Sequence, residues 1–354
     1  MFFCNRSNLH VGSKAHSSTG AGRSRSNMST ILVKKSTGVE VAVHSLGGKG
    51  PLLIFAPANG FHGRCYEPLA SCLKDHFRCV GVDLEGQGDT PAELDDPVNM
   101  LERHADDLLA VVDHFRQDDC YVFGHSGGGL AALMAEQHRP HTFKAMYLFE
   151  PVVFGPEKAG EDEQTNAFVD LAKIRTAHAA FSPDFLAVRA LKRRQRFASK
   201  AAALQSFASK PPFQDFQSSA LSAYIEHGFR EVSDGTVELK CTPKVEARIY
   251  TDVWDVGRQT FGQLRDVKCP VTIAAGAEDA PGRMMAGELE APRIAAQLPL
   301  GRFEQYKWMG HFGPFVSPAF VADRIIFNLY FSRNAVLWNT LPKAQSERVP
   351  KARL

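Results

Sequence analysis

The sequence predicts an α/β protein with a mostly parallel sheet of about eight strands, divided by a helical insertion. Short apolar runs alternate with helical patterns up to residue 150, and the same alternation resumes near residue 267. Such alternation is typical of crossover units that join parallel strands. Between these stretches, residues 155–262 are rich in Ala, Phe, Lys and Arg and have the pattern of helices. We therefore expect one core, built from both parts of the chain, that carries a helical cap.

The elements of the first core segment follow from the periodicity of its apolar residues. A hairpin comes first, because two alternating runs flank a turn at Ser36-Thr37-Gly38. The continuous apolar runs after it favour strands that are buried on both faces. The expected order is hairpin strands 30–35 and 39–46, strand 51–56, helix 66–73, strand 78–83, helix 100–115, strand 121–123, a helix from 130, and strand 143–150.

The second core segment is expected to add two strands and two helices. The pattern predicts strand 271–275, a helix at 286–297, strand 302–308 and a closing helix at 318–331. We assign residues 29–154 and 263–333 to the core and residues 155–262 to the helical cap. Residues 1–28 are expected to form a disordered extension or targeting segment, and residues 334–354 an exposed tail.

The composition is that of an ordinary globular protein and argues against several classes. The formal net charge is only +2, so nothing points to a nucleic-acid partner. No apolar run reaches about 18 residues, so a transmembrane segment is not expected. The seven cysteines include no Cys-x-x-Cys pair, which argues against a disulfide framework and a zinc site. We expect no metal and no cofactor, since the chain also lacks a dinucleotide-binding fingerprint.

Both ends of the sequence resemble targeting signals. Residues 1–27 contain basic residues and many serines but no acidic residue, a composition typical of organellar transit peptides. An extension upstream of an alternative start at Met28 explains them equally well. At the other end, Ala352-Arg353-Leu354 is similar to the Ser-Lys-Leu peroxisomal address. We expect the peroxisome or a related microbody, with the import receptor as partner; the mitochondrion and the cytoplasm are the alternatives.

The chemistry is expected to centre on Ser126. The segment Gly124-His125-Ser126-Gly127-Gly128 follows an apolar strand and precedes a helical stretch, which makes it a Gly-x-Ser-x-Gly turn. Gly124 and Gly128 leave space around a strained serine, and the N-terminus of the following helix favours negative charge. Ser126 is therefore the predicted nucleophile.

A nucleophilic serine needs a base and a carboxylate that orients this base. His311 lies in a Gly-His-Phe-Gly-Pro segment just after the last predicted strand and is the candidate base. Asp279, which follows strand 271–275, is the first choice for the acid. The alternatives are Glu278 beside it and Glu150, which ends the strand after the nucleophile helix.

Acyl transfer also needs two hydrogen-bond donors for the developing oxyanion. The backbone N–H of Gly127 is one candidate, because it directly follows the serine. The second donor is expected from the Ala-Asn-Gly-Phe-His-Gly loop at 58–63, with the N–H of Phe61 as the first choice.

Together these motifs resemble the α/β-hydrolase family, in its serine-nucleophile branch. The order serine, acid, histidine is similar to that family's order, and so is the Asp-Leu-Glu-Gly-Gln-Gly turn at 83–88, where Glu85 replaces the usual arginine. Asn59 stands where many members have histidine before glycine. The resemblance covers residues 30–332 and implies an α/β-hydrolase fold with hydrolytic chemistry.

The predicted activity is hydrolysis of a small-molecule carboxylic ester or thioester through an acyl-Ser126 intermediate. The same residues fit carbon–carbon bond hydrolysis or a lyase reaction, as in some relatives, and the fold also serves as a non-catalytic ligand-binding protein. A basic stretch at 189–200 and the aromatic residues of the cap are candidates for substrate contacts, although a solvated helix face and core packing explain most of them.

Overall fold

The structure, a computed structural model, describes residues 29–35, 38–96, 98–156, 176, 178, 182–276 and 285–347. These residues form an α/β fold whose main sheet has nine strands. The expected, mostly parallel sheet is confirmed, because the described strands pair in parallel from the third position of the sheet onward. None of the described helices is long and apolar enough to cross a lipid bilayer.

The strands are defined first. They are β1 (Thr30–Lys34), β2 (Glu40–Gly47), β3 (Leu52–Ala56), β4 (Arg78–Val82), β5 (Cys120–His125), β6 (Ala145–Phe149), β7 (Arg196–Phe197), β8 (Phe229–Glu231), β9 (Val237–Leu239), β10 (Val271–Gly276), β11 (Gly301–Tyr306) and β12 (Ala344–Glu347). The main sheet has the order β1-β2-β4-β3-β5-β6-β10-β11-β12. Its antiparallel edge is the predicted hairpin, in which Thr30 lies opposite His44.

The described helices surround this sheet. They are α1 (Glu67–Ser71), α2 (Met100–Phe115), α3 (Gly127–His138), α4 (Pro183–Leu191), α5 (Lys200–Ala208), α6 (Ser218–Gly228), α7 (Pro243–Gly262), α8 (Met285–Gln297), α9 (Gly313–Val316), α10 (Pro318–Ser332) and α11 (Ala335–Thr340). Helix α2 has the predicted bounds, and the side chain of Asn99 caps its N-terminus by accepting a hydrogen bond from the N–H of Leu101.

The central strands are buried on both faces, as their continuous apolar runs predict. Every residue of β3, β5, β6 and β10 is buried. One apolar cluster joins this sheet to α2, α3 and α8 on one face, and a second joins it to α1 and α10 on the other. The carboxyl ends of the parallel strands are therefore fixed between two helical layers.

Residues 155–262, which we expect to form a helical cap, are not entirely helical in their described part. Helices α4 to α7 are accompanied by a separate antiparallel sheet with the order β7-β9-β8. Its strands are only two or three residues long. A period of two cannot be recognised over so few residues, which is why the sequence predicts helices alone here.

The tail predicted at 334–354 is ordered further than the sequence suggests. Strand β12 pairs with β11, so that Phe303 lies opposite Ala344, and the side chain of Trp338 in α11 is 5% exposed. The guanidinium of Arg302 lies 5.2 Å from the centre of the Trp338 ring. Burial of this indole holds the segment against the core. The segment 1–28 and the tripeptide 352–354 lie outside the described residues.

Glu85, which replaces the arginine expected from the resemblance, belongs to a buried ion-pair network. Its carboxylate lies 3.2 Å from Lys35 Nζ and 2.7 Å from an Arg103 nitrogen. Lys35 Nζ also lies 2.7 Å from Asp107 Oδ1, and Glu85 and Asp107 are completely buried. Two cations from other elements therefore compensate for the carboxylate in the turn.

Replacing Lys35 with methionine should lower the free energy of unfolding by about 3–5 kcal/mol, because two buried carboxylates lose a shared cation. Chemical denaturation at pH 7 measures this change. Lys34→Met is the matched control, since Lys34 is the preceding, exposed residue; we expect it to change stability by less than about 0.5 kcal/mol. Equal stability of the two variants would show that the network does not depend on Lys35.

Candidate active site

Ser126 occupies a strained turn between β5 and α3. Its backbone angles are φ 56° and ψ −116°, a conformation that residues other than glycine rarely adopt. The N–H of Ser126 donates to the carbonyl of Phe149 at 3.0 Å, and its own carbonyl accepts from the N–H groups of Gly129 and Leu130. These bonds to β6 and to the first turn of α3 hold the serine at the carboxyl end of the sheet.

Two of the neighbouring glycines are needed for this turn. A Cβ on Gly128 would lie 2.2 Å from the carbonyl oxygen of Ala56, and one on Gly124 would lie 2.7 Å from the Cα of Gly129. Both are closer than atoms can approach. Gly127 differs, because outside its chain neighbours and its own helix the atom nearest to a Cβ there would be the backbone nitrogen of Asn59, at 3.7 Å.

His311 and Glu150 are joined by a direct hydrogen bond. His311 Nδ1 donates to Glu150 Oε2 at 2.7 Å, and the other carboxylate oxygen accepts from the N–H of Gly276 at 2.9 Å. Glu150 directly follows β6 in a left-handed conformation with φ 44° and is 3% exposed. With its proton on Nδ1, His311 has Nε2 available as an acceptor.

Of the three predicted acids, the structure brings Glu150 to the histidine. Asp279 and Glu278 lie outside the described residues, so their prediction remains as it stands. Glu150 is also linked to the serine through its own chain neighbour, because the carbonyl of Phe149 accepts from the N–H of Ser126. Within the described residues no hydrogen bond joins the Ser126 hydroxyl to His311, and such bonds are often long without substrate.

A buried polar chain that the sequence did not reveal connects the three loops of the site. His125 Nε2 donates to the carbonyl of His311 at 2.9 Å, and the hydroxyl of Tyr66 donates to His125 Nδ1 at 2.9 Å. The Tyr66 oxygen accepts in turn from the N–H of Ala58 at 3.1 Å. Burial lowers the pKa of His125 well below its ordinary value, and the nearby His311 lowers it further. A neutral His125 therefore holds the histidine loop against the serine turn.

The oxyanion donors differ in part from the prediction. The N–H of Gly127 begins α3, where no partner within the helix exists. The N–H of Phe61, however, donates to the carbonyl of Ala58 at 3.0 Å, across a turn that Gly60 closes with φ 78°. This bond occupies the donor that the sequence suggests. The backbone nitrogen of Asn59 is the atom of this loop that lies beside Gly127.

The aromatic residues of the cap pack over this loop. The Phe61 ring lies 4.9 Å from that of Phe315 and 5.1 Å from that of Tyr224. The same cluster includes Phe207, Phe213, Phe216 and Phe312. Phe185, by contrast, is 48% exposed. The Phe315 ring also lies 5.6 Å from that of His125, so this apolar cluster adjoins the serine turn.

The basic stretch of the cap contributes one side chain to the same region. Arg193 pairs with Glu246 of α7 and donates to the hydroxyl of Tyr224 at 2.8 Å. Its neighbours Arg189, Lys192, Arg194 and Arg196 are exposed. A solvated helix face, as expected, therefore accounts for most of the basic residues at 189–200.

One cluster in the described residues has the composition of a metal site. His44, Asp83 and Asp89 offer ligand atoms within 4.8 Å of one another. His44 Nε2 already donates to Asp83 at 2.8 Å, and Lys240 pairs with Asp89. Asp83 also accepts from the N–H groups of Gly63 and Asp89, so hydrogen bonds account for the cluster.

Comparison with known proteins adds to this geometry. RutD of Serratia proteamaculans (strain 568), which bears the name of a carbamate hydrolase, is 26% identical over 96 residues, 27% of this chain and 36% of its own length. Among solved structures, E-2-(acetamidomethylene)succinate hydrolase has a TM-score of 0.67 at 20% identity, covering 86% of this chain and 100% of its own. The peroxisomal α/β-hydrolase Lpx1 from Saccharomyces cerevisiae has a TM-score of 0.61 at 16% identity, covering 94% and 91%.

These structural neighbours share the fold, and the curated relative is matched over about a third of its length. The family model for the alpha/beta hydrolase fold matches residues 43–315, a range that contains Ser126, Glu150 and His311. The match covers most of the chain, including most of both core segments and the whole of the segment between them. The chain belongs to the α/β-hydrolase fold family.

Proposed function

We propose that the chain is a serine hydrolase that cleaves a carboxylic ester or thioester through an acyl-Ser126 intermediate. The observation that carries this proposal is the hydrogen bond from His311 Nδ1 to Glu150 Oε2 at 2.7 Å, beside a serine in a strained strand-to-helix turn. A carboxylate on Nδ1 fixes the tautomer in which Nε2 accepts a proton. In this proposal Glu150 replaces Asp279 as the first choice for the acid.

In the proposed reaction, His311 Nε2 takes the proton of Ser126 as Oγ bonds to the substrate carbonyl carbon. The oxyanion of the tetrahedral intermediate accepts from the N–H groups of Gly127 and Asn59. The bond to the leaving group then breaks, and His311 returns the proton to the departing oxygen or sulfur. A water molecule, deprotonated by His311, then attacks the acyl carbon. His311 gives this proton to Ser126 Oγ as the bond between Oγ and the acyl carbon breaks, which releases the acid and restores Ser126.

The cap supports a substrate with an apolar part, because the aromatic cluster around Phe61 adjoins the serine turn. We further propose a microbody location, reached by an import receptor that binds Ala352-Arg353-Leu354. The similarity to peroxisomal Lpx1 adds modest support to this location. Deleting the tripeptide from a fluorescent fusion and following its distribution tests it.

Labelling with a fluorophosphonate probe tests the acyl-enzyme proposal. We expect stoichiometric labelling of the wild type and loss of labelling in Ser126→Ala, because the probe traps an activated serine. Ser71→Ala is the control, since Ser71 is exposed at the end of α1. Turnover of p-nitrophenyl esters and acyl thioesters then defines the reaction.

Two results would contradict the proposal. A folded wild type that the probe does not label would favour a non-catalytic ligand-binding protein. Labelling at Ser126 without turnover of any ester or thioester would favour carbon–carbon bond cleavage or a lyase reaction, which uses the same residues.

A further inference from the structure

The amide group of Asn59, a partly exposed residue, is itself buried without a hydrogen-bond partner. Its amide nitrogen and its amide oxygen each expose less than 1 Å², and neither makes a hydrogen bond in the structure. Buried polar groups in folded proteins are nearly always paired, so both a donor and an acceptor left open together call for a specific explanation.

This amide lies where the core meets the cap, next to the proposed nucleophile. The Cβ of Asn59 would be 3.8 Å from a Cβ on Gly127, the residue after Ser126. On the cap side, a Cβ on the adjoining Gly60 would lie 3.1 Å from Glu246 Oε1 and 3.2 Å from Arg193 Nη1. Asn59 thus lies between the start of α3 and a polar cluster of the cap, which is formed by Arg193 and Glu246.

Tyr250 adds a hydroxyl group to this polar cluster, next to Asn59. It lies one helical turn after Glu246 on α7. Burial raises the pKa of the Tyr250 hydroxyl, whereas the nearby Asn59 amide lowers it. The two groups are therefore neighbours, although the amide is not in hydrogen-bonding geometry with the hydroxyl.

The charged side chains beside Asn59, those of Arg193 and Glu246, already balance each other. Arg193 is paired with Glu246 and also donates to Tyr224, so the cation faces its own carboxylate. A free anion would compete with Glu246 for the guanidinium. A neutral group meets no such competition, and the open donor and acceptor of Asn59 remain available to it.

The group that complements a free carboxamide is a primary amide, because its C=O and one of its N–H bonds lie on the same side and can form two reciprocal hydrogen bonds with it. We propose that Asn59 selects acyl substrates that carry a primary amide group within a few bonds of the carbonyl attacked by Ser126. Asn59 then acts through its side chain in specificity and through its N–H at the oxyanion. This inference rests on the proposed acyl-Ser126 chemistry.

Three p-nitrophenyl esters of matched size test the inference. The 5-amino-5-oxopentanoyl ester carries the primary amide, the 5-oxohexanoyl ester keeps only its carbonyl, and the hexanoyl ester has neither group. We expect the wild type to prefer the 5-amino-5-oxopentanoyl ester over the hexanoyl ester by at least about tenfold in kcat/KM, with the ketone ester between them. Equal kcat/KM for the amide and ketone esters, or for all three, would overturn the inference.

Asn59→Leu, similar in shape but apolar, should reduce the ratio of amide to hexanoyl kcat/KM to about one. Asn59→Asp keeps an acceptor but loses both side-chain donors, and should give an intermediate ratio. If Asn59→Leu slows all three esters by the same factor, the residue is structural and the inference is wrong. Should Asn59→Leu not fold, the ratio in Asn59→Asp decides the matter, and a ratio equal to that of the wild type would overturn the inference.

Failure of the proposed function looks different from failure of this inference. If Ser126 is not an acylated nucleophile, the wild type is neither labelled by the fluorophosphonate nor active on any of the three esters. If only the inference fails, labelling and turnover remain and the preference for the amide is absent.

Discussion

Replacing Glu150 with glutamine is expected to lower kcat for ester hydrolysis by about 1,000- to 10,000-fold. The amide cannot stabilise the imidazolium that forms when His311 takes the serine proton, nor does it enforce the proton on Nδ1. The fold should persist, because the glutamine oxygen can still accept from the N–H of Gly276. Steady-state rates, with circular dichroism as the check on folding, measure the effect.

Asp279→Asn and Glu278→Gln are the matched controls for this prediction. Both residues follow β10 in sequence, the strand beside β6 in the sheet. We expect each control to retain kcat within about threefold, because the carboxylate that contacts His311 is that of Glu150. A large loss in Asp279→Asn together with an active Glu150→Gln would restore Asp279 as the acid.

The sequence predicts the core better than the site for a physical reason. Strand and helix positions depend on periodicity within one segment, which is why the bounds of α2 agree with the structure and the strand predicted before Ser126, at 121–123, lies within β5. The choice between Glu150 and Asp279 depends on side-chain geometry across neighbouring strands. Both carboxylates follow strands that end at the same sheet edge, so spacing along the chain could not separate them.

The hydrogen bonds across the site could not be predicted from the sequence for the same reason. His125 is visible only as a variable position of the serine motif, and nothing in the chain marks Tyr66, 59 residues earlier, as its partner. Which N–H the oxyanion loop can offer to a substrate depends on the conformation of a single turn. Once Gly60 adopts φ 78°, the N–H of Phe61 is bonded to Ala58, and the loop presents Asn59 to Gly127 instead.

Gly128→Ala is expected to destabilise the protein by about 3 kcal/mol or more, the largest loss of stability that we predict for a single added methyl group. The new Cβ would lie 2.2 Å from the carbonyl oxygen of Ala56 and 2.6 Å from that of Pro57. Both are backbone atoms at the end of β3, so they cannot rotate away as a side chain could. Relief requires α3 to move off the sheet, which would also displace Ser126.

Gly127→Ala is the control for this prediction, because it adds the same methyl group at a neighbouring position that has more space. The residue is the immediate neighbour in the first turn of α3, yet its Cβ would meet no atom outside its chain neighbours and its own helix closer than 3.7 Å. Alanine also favours the helix more than glycine does, so the free energy of unfolding should change by less than about 1 kcal/mol. Urea denaturation of both variants measures the difference. If Gly128→Ala proved as stable as Gly127→Ala, the start of α3 would not rest on the end of β3, and the strained position of Ser126 would need another cause.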